Sequence, residues 1–221
     1  MIRTLSVGPI QENVYIVEAE GQALLVVDPG AEAERLIEEI LASAERSHAP
    51  MVLVAMTHGH LDHVAALAGV LAGLAARGLV ARTFAPEGDR DYFGDRAKAT
   101  NERIFKGIRA MAFFDQYWTP VPEADEYFGH GFILPGTDAV VLHTPGHTPG
   151  SSCFLVEGGS SLLTGDTLFR DGRGRTDGFD GDEGALLHSI QERLCVLPDH
   201  VQLWPGHGAQ TTIGREKRLY Y

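Results

Sequence analysis

Short apolar runs alternate with polar turns punctuated by glycine and proline along most of this chain. Residues 14–17 and 23–27 are compact β-prone runs, and the polar, glycine-containing stretch 18–22 between them predicts a hairpin. Asp28-Pro29-Gly30 breaks the pattern. Residues 31–46 then place Leu36, Ile37, Ile40 and Leu41 at helical spacing with charges between them, which predicts a surface amphipathic helix. Residues 51–56 form an apolar strand that runs directly into Thr57-His58-Gly59-His60-Leu61-Asp62-His63. An alanine- and glycine-rich stretch, 64–81, follows. It matches the shortest membrane spans in length, yet Arg77 interrupts it and a polar histidine cluster precedes it, so it reads as a buried helix.

From about 86 to 135 the chain concentrates Tyr92, Phe93, Phe105, Phe113, Phe114, Tyr117, Trp118, Tyr127 and Phe128, with Ile104, Ile108 and Met111 at helical spacing. Core packing accounts for such a segment, as does a lid, a substrate wall or a homodimer contact. The second half repeats the grammar of the first. Strands at 140–142, 153–156, 161–163 and 201–204 deliver polar residues to loops, and 183–197 reads as a helix. Two strand-rich halves, each with helices, predict an α/β (α+β) architecture. It is a four-layer αββα sandwich in one domain, 1–221, with a helical aromatic-rich insertion at about 86–135.

Bulk properties narrow the partners. With 221 residues, 44% of them hydrophobic, the chain can bury one substantial core. A formal charge of −12 repels phosphate backbones and anionic lipid, so neither nucleic acid nor membrane is an expected partner. Cys153 and Cys195 are far apart and lack paired spacing, which excludes a disulfide framework and a cysteine-based metal site and fits a reducing cytoplasm. The first residues lack the apolar run and cleavage site of a signal peptide, so a cytoplasmic location is expected.

The chemistry gathers at strand ends. In extended or turning backbone, positions i and i+2 project to one side, so His58 and His60 can grip one ion while Asp62 and His63 turn toward a neighbour. His147 lies between two Pro-Gly steps, His207 in Pro205-Gly206-His207-Gly208, and Asp166 after Thr164-Gly165, each just beyond an apolar strand. Mixed imidazole and carboxylate donors suit zinc, iron and manganese. His48, His130, His143, His188 and His200 lack this context and read as structural or surface groups.

This pattern resembles the metallo-β-lactamase superfamily, whose His-x-His-x-Asp-His signature is matched in full by His58 to His63, and whose later ligand motifs match His147, Asp166 and His207 in order. Within it, Thr-Pro-Gly-His-Thr-Pro-Gly-Ser, Leu-Thr-Gly-Asp-Thr-Leu-Phe, Gly-Arg-Thr-Asp and Thr-Thr-Ile-Gly-Arg-Glu-Lys-Arg resemble the glyoxalase II branch of hydroxyacylglutathione hydrolases and its shorter relatives. The resemblance implies that His58, His60 and His147 bind one metal and Asp62, His63 and His207 a second, with Asp166 bridging two divalent ions, zinc in the first place. A bridging hydroxide would then be the nucleophile, and Asp62 would both ligate and hold its proton, cleaving an anionic thioester such as a hydroxyacylglutathione.

The family's basic residue after the bridging aspartate corresponds to Arg175, which either grips a substrate carboxylate or pairs with Asp177, where the family has a tyrosine. Arg173 and Phe169 complete the candidate substrate contacts, with Arg170 flanking the same loop. Persulfide dioxygenases share the fold with a single iron, but their last ligand loop tends to read Pro-Ala-His-Asp-Tyr, which this chain lacks. A lactone or ester hydrolase shares the metal site. A non-catalytic binding domain would be marked by a missing ligand, and none is missing.

Overall fold

The computed structural model describes residues 1–19 and 22–221. The turn expected at 18–22 therefore falls partly on residues 20 and 21, which lie outside the described residues. The first half runs β1 (Ile2–Val7), β2 (Glu12–Val17), β3 (Leu24–Val27), α1 (Ala33–Ser47), β4 (Val52–Ala55), α2 (Leu61–Val64), α3 (Leu67–Ala76), β5 (Ala81–Pro86), α4 (Ala97–Gly107), α5 (Met111–Tyr117) and β6 (Glu126–Phe128). Its sheet has the order β1-β2-β3-β4-β5-β6, antiparallel from β1 to β3 and parallel from β3 to β6.

The second half runs β7 (Val140–His143), β8 (Ser152–Val156), β9 (Ser161–Gly165), a small hairpin of β10 (Leu168–Phe169) and β11 (Gly172–Arg173), α6 (Glu183–Ser189), β12 (Gln202–Pro205), β13 (Thr211–Thr212) and α7 (Ile213–Glu216). Its main sheet is ordered β13-β12-β9-β8-β7, with β12 and β9 parallel.

Strand alternation builds the layers. On β3, Leu24 and Val26 face the helices α1 and α3 while Leu25 and Val27 face the other sheet; on β4, Val52 and Val54 divide from Leu53 and Ala55 in the same way. Both faces are buried, which explains why these strands read as unbroken apolar runs. The central layer joins Leu25, Leu53 and Phe84 of the first sheet to Val141, Phe154 and Leu163 of the second. Beyond the second sheet, Cys153, Leu162 and Leu203 pack under Leu186 and Ile190. The result is the expected αββα sandwich.

Three elements depart from the sequence expectation. The run 64–81 is not one helix: α3 ends at Ala76, Gly78 turns the chain with φ 79°, and Ala81 opens β5, which is held by pairing on both sides. The segment 86–135 is not wholly helical, because β6 pairs with Phe84–Pro86 of β5 and completes the first sheet. The helix at 183–197 begins at Glu183, but past Ser189 it widens into a π-helical turn, Ile190–Leu194. Among the described residues, no helix is long and apolar enough to cross a membrane.

Candidate metal centre

The carboxyl ends of β3, β4, β9 and β12 open onto one edge of the sandwich. Asp28 follows β3, Thr57 and His58 follow β4 by two and three residues, Asp166 follows β9, and His207 follows β12; His147 comes from the loop between β7 and β8. Hydrogen bonds between the two sheets hold the edge together. Asn13 Nδ2 and the Tyr15 hydroxyl donate to Pro205 O at 3.0 and 2.6 Å, and the Ser152 amide donates to Thr57 O at 2.9 Å.

At this edge the ligand-bearing atoms of His58, His60 and His147 lie within 4.8 Å of one another, as do those of Asp62, His63 and His207. Asp166 stands between the two groups. Its Oδ1 lies 3.4 Å from His63 Nε2, and its Oδ2 lies 3.6 Å from His147 Nε2 and 3.8 Å from His207 Nε2. Asp62 Oδ2 is 3.2 Å from His207 Nε2 and 3.5 Å from His63 Nε2.

Backbone and side-chain acceptors on the far side of the rings fix their tautomers. Nδ1 of His63 donates to Asp28 Oδ2 at 3.0 Å, that of His147 to Arg175 O at 2.7 Å, that of His207 to Ile10 O at 3.3 Å, and that of His58 to the Thr57 hydroxyl at 3.0 Å. In the neutral ring, a hydrogen on Nδ1 leaves Nε2 with a lone pair. The Nε2 atoms of His58, His60, His63 and His147 and Oδ1 of Asp166 are all buried without a hydrogen-bond partner. Orphaned buried acceptors are costly, and a convergent set of them fits a cation. The residues present therefore fit the divalent metal ions that the donor chemistry implies.

Electrostatics agree. Burial, with the field of His63, holds His58 well below the ordinary imidazole range, and burial with the field of His147 brings His60 down to about 3, so both rings are neutral. Burial opposes charge on His63, but Asp166 and Asp62 outweigh it and raise its pKa; the same pull favours a cation at that corner. Burial likewise opposes charge on Asp62, yet His63 and His207 hold it well below the usual carboxylate range.

Three carboxylates at the site were not singled out by sequence. Asp28 accepts from the Thr57 amide and hydroxyl, both at 2.6 Å, as well as from His63, so its oxygens are committed although it is within reach of His58 and His63. Its signal was the Asp28-Pro29-Gly30 step at a strand end. Asp89 is buried and accepts from the Gly59 amide at 2.9 Å, the Thr148 hydroxyl at 2.7 Å and the Gly150 amide at 2.6 Å, clamping the His58–His60 loop to the His147 loop. No local pattern marks it. Glu12 is buried with both oxygens unpartnered, 3.8 Å from His63 Nδ1, and burial pushes its carboxyl upward.

A cavity of about 330 Å³ opens over the site, walled by Ile104, Phe105, Ile108 and Phe113 and bordered by Arg175. The aromatic segment is thus both core, through Phe93 and Phe114, and cavity wall. Arg175 reaches the mouth, but its guanidinium makes a two-pronged pair with Asp177 at 2.6 and 2.8 Å. Arg173 is turned to Glu183 at 2.6 Å, and Phe169 sets its ring edge-on to His207 at a centroid distance of 6.3 Å. His130 and His143 contact Arg193 and Pro149 O, away from the cluster.

Sandwich, strand-end loops and clustered His/Asp groups define a metal-dependent hydrolase, and residues 7–213 match the family model of the metallo-beta-lactamase superfamily, to which this chain belongs. The chain is 33% identical to the hydroxyacylglutathione hydrolase GloC of Haemophilus influenzae, over 98% of this chain and 95% of that protein. Among solved structures it is similar to the BLEG-1 B3 metallo-beta-lactamase, with a TM-score of 0.81 and 29% identity over 99% of this chain and 97% of that one. It is also similar to TTHA1623 in a di-iron-bound form, with a TM-score of 0.74 and 32% identity over 98% and 97%.

Proposed function

We propose that this chain is a dinuclear metallohydrolase of thioesters, with hydroxyacyl conjugates of glutathione as the leading substrate class. The observation that carries the proposal is the pair of donor groups on either side of Asp166, with four buried Nε2 atoms that lack a hydrogen-bond partner. In it, His58, His60 and His147 would hold one ion and Asp62, His63 and His207 the other, with Asp166 available to both. The likeness to GloC supports the substrate class, and the di-iron form of TTHA1623 supports a two-ion site. When bound, two divalent cations supply a water of lowered pKa and a Lewis acid for the carbonyl oxygen.

The chain's own residues do the rest. Asp62 is ionised at neutral pH, so its carboxylate can accept a hydrogen bond from the attacking water and orient it. Ile104, Phe105, Ile108 and Phe113 exclude bulk water from one side of the cavity. Arg175 is the group placed to meet an anionic end, and a substrate carboxylate would exchange for Asp177. Phe169 orients the His207 ring, and Arg173 stands behind, on Glu183. A C–O bond forms at the carbonyl carbon, the C–S bond breaks, and the products are a carboxylate and a thiol.

The test combines metal content of protein purified without added metal with hydrolysis of S-D-lactoylglutathione and oxygen uptake on glutathione persulfide. Two ions per chain and thioester turnover abolished in Asp62→Ala are expected. A single iron with oxygen uptake would replace the hydrolase by a dioxygenase, and turnover confined to lactones or nitrocefin would replace the thioester.

A further inference from the structure

A second cavity, of about 320 Å³, adjoins the metal site across Asp62. Ile10, Asp62 and Phe113 line both cavities and so form the partition between them. Beyond the partition the wall is built from small side chains, among them Ala31, Ala65 and Ala68, and Tyr117 of α5 closes the opposite side. The space exists because α1 and α3 meet through small residues: a Cβ added at Gly69 would lie 3.0 Å from that of Ala33. The carboxyl groups that line this cavity are Asp62, Glu32, which pairs with Arg35 outside it, and Glu12, whose carboxyl burial pushes upward, with no lysine or arginine among the lining residues. The first cavity also carries carboxylates, Asp62 and Asp166, but it has the guanidinium of Arg175 at its border.

This asymmetry decides which half of a substrate goes where. A carboxylate-bearing thiol is repelled from the acidic chamber and attracted toward Arg175, whereas an uncharged apolar group is favoured against the alanine wall. We infer that the second cavity is an acyl pocket: the thioester carries an aliphatic acyl chain of several carbons, its carbonyl at the Asp62 partition and its chain against Ala65, Ala68 and Tyr117. This assignment rests on the thioester proposal above for its carbonyl chemistry, while the pocket itself stands on its lining. Hydrolysis would release the acyl group as a free alkanoate and the thiol on the Arg175 side.

Each methylene buried in such a pocket strengthens binding by about fourfold. The test therefore measures binding of butanoate, hexanoate and octanoate to the metal-loaded protein by calorimetry, beside turnover of acetyl-, butanoyl-, hexanoyl- and octanoylglutathione. In the wild type, affinity and kcat/KM are expected to rise by about fourfold per methylene. Ala68→Leu, which fills the chamber, should flatten both series, and Tyr117→Ala should shift the optimum to longer chains. Alkanoate binding independent of chain length, or a slope untouched by both substitutions, overturns the acyl pocket even when thioesters are cleaved. A chain-length slope that Ala68→Leu removes, in a protein that cleaves no thioester of any length, upholds the pocket and sinks the thioester proposal.

Discussion

Asp28 shows how a residue outside the ligand set can control it. By accepting from His63 Nδ1 it fixes the tautomer that frees Nε2, and by accepting twice from Thr57 it fixes the loop that carries His58. Asp28→Asn would present an N–H donor to one of these donors, and metal affinity is expected to fall by about 10- to 100-fold, measured by competition with a chromophoric chelator. Asp89 gives a prediction of a different kind. Burial pushes its carboxyl up to about 7 against the pull of Thr148, Gly150 and Gly59. A raised carboxyl pKa contributes stability that is full below the unfolded value, near pH 4, and lost as pH rises through about 7. Asn at this position cannot ionise, so the stability deficit of Asp89→Asn relative to wild type should shrink between pH 4 and pH 7.5 in denaturant titrations; a constant deficit would place the titration elsewhere. Gly30 is constrained by contact rather than charge: a Cβ there would lie 1.8 Å from Asp62 O and 2.6 Å from Glu12 Oε2. Gly30→Ala must displace the Asp62 backbone and is expected to lower metal retention and thioester turnover together.

At the scale of elements, sequence legibility follows burial and spacing. The αββα layering and β3, β4 and β8 were readable because continuous apolar runs of at least four residues mark buried strands, whereas β9 offered only Leu162 and Leu163 between polar turns. β1 was less readable because in Ile2–Val7 Leu5 and Val7 alone are buried, so its alternation is weak. β5 and β6 were hidden by composition: Ala81–Pro86 continues an alanine-rich run, and Glu126–Phe128 is too short for any period, so pairing with neighbours rather than propensity makes them strands. The ligand candidates were legible because each follows a strand and a glycine or proline turn. Asp89 and Glu12 were not, since their significance lies in what folds against them. One terminus yields a separable prediction. Asp182 caps α6 by accepting from the Ala185 amide at 2.9 Å, so Asp182→Ala should lower stability by about 1 kcal/mol in denaturant melts with metal content unchanged.

At the scale of the whole molecule, both donor groups draw residues from both halves of the chain: His58 and His60 with His147, and Asp62 and His63 with His207. Ions bound there stabilise the native state by mass action, about 4 kcal/mol per site at free metal 1,000 times the dissociation constant. Exhaustive chelation should therefore lower the melting temperature by on the order of 10 °C or more in a chain of this size, reversibly on adding metal back. The placement of Asp166 between the groups has a further consequence. Neither sheet alone carries a complete set of donors, so a nascent first half has His58, His60, Asp62 and His63 but no means of retaining ions tightly. Tight metal loading is then expected to require docking of the two sheets. Two separately expressed fragments, 1–135 and 136–221, would behave as a split reporter whose reassembly is governed by metal concentration.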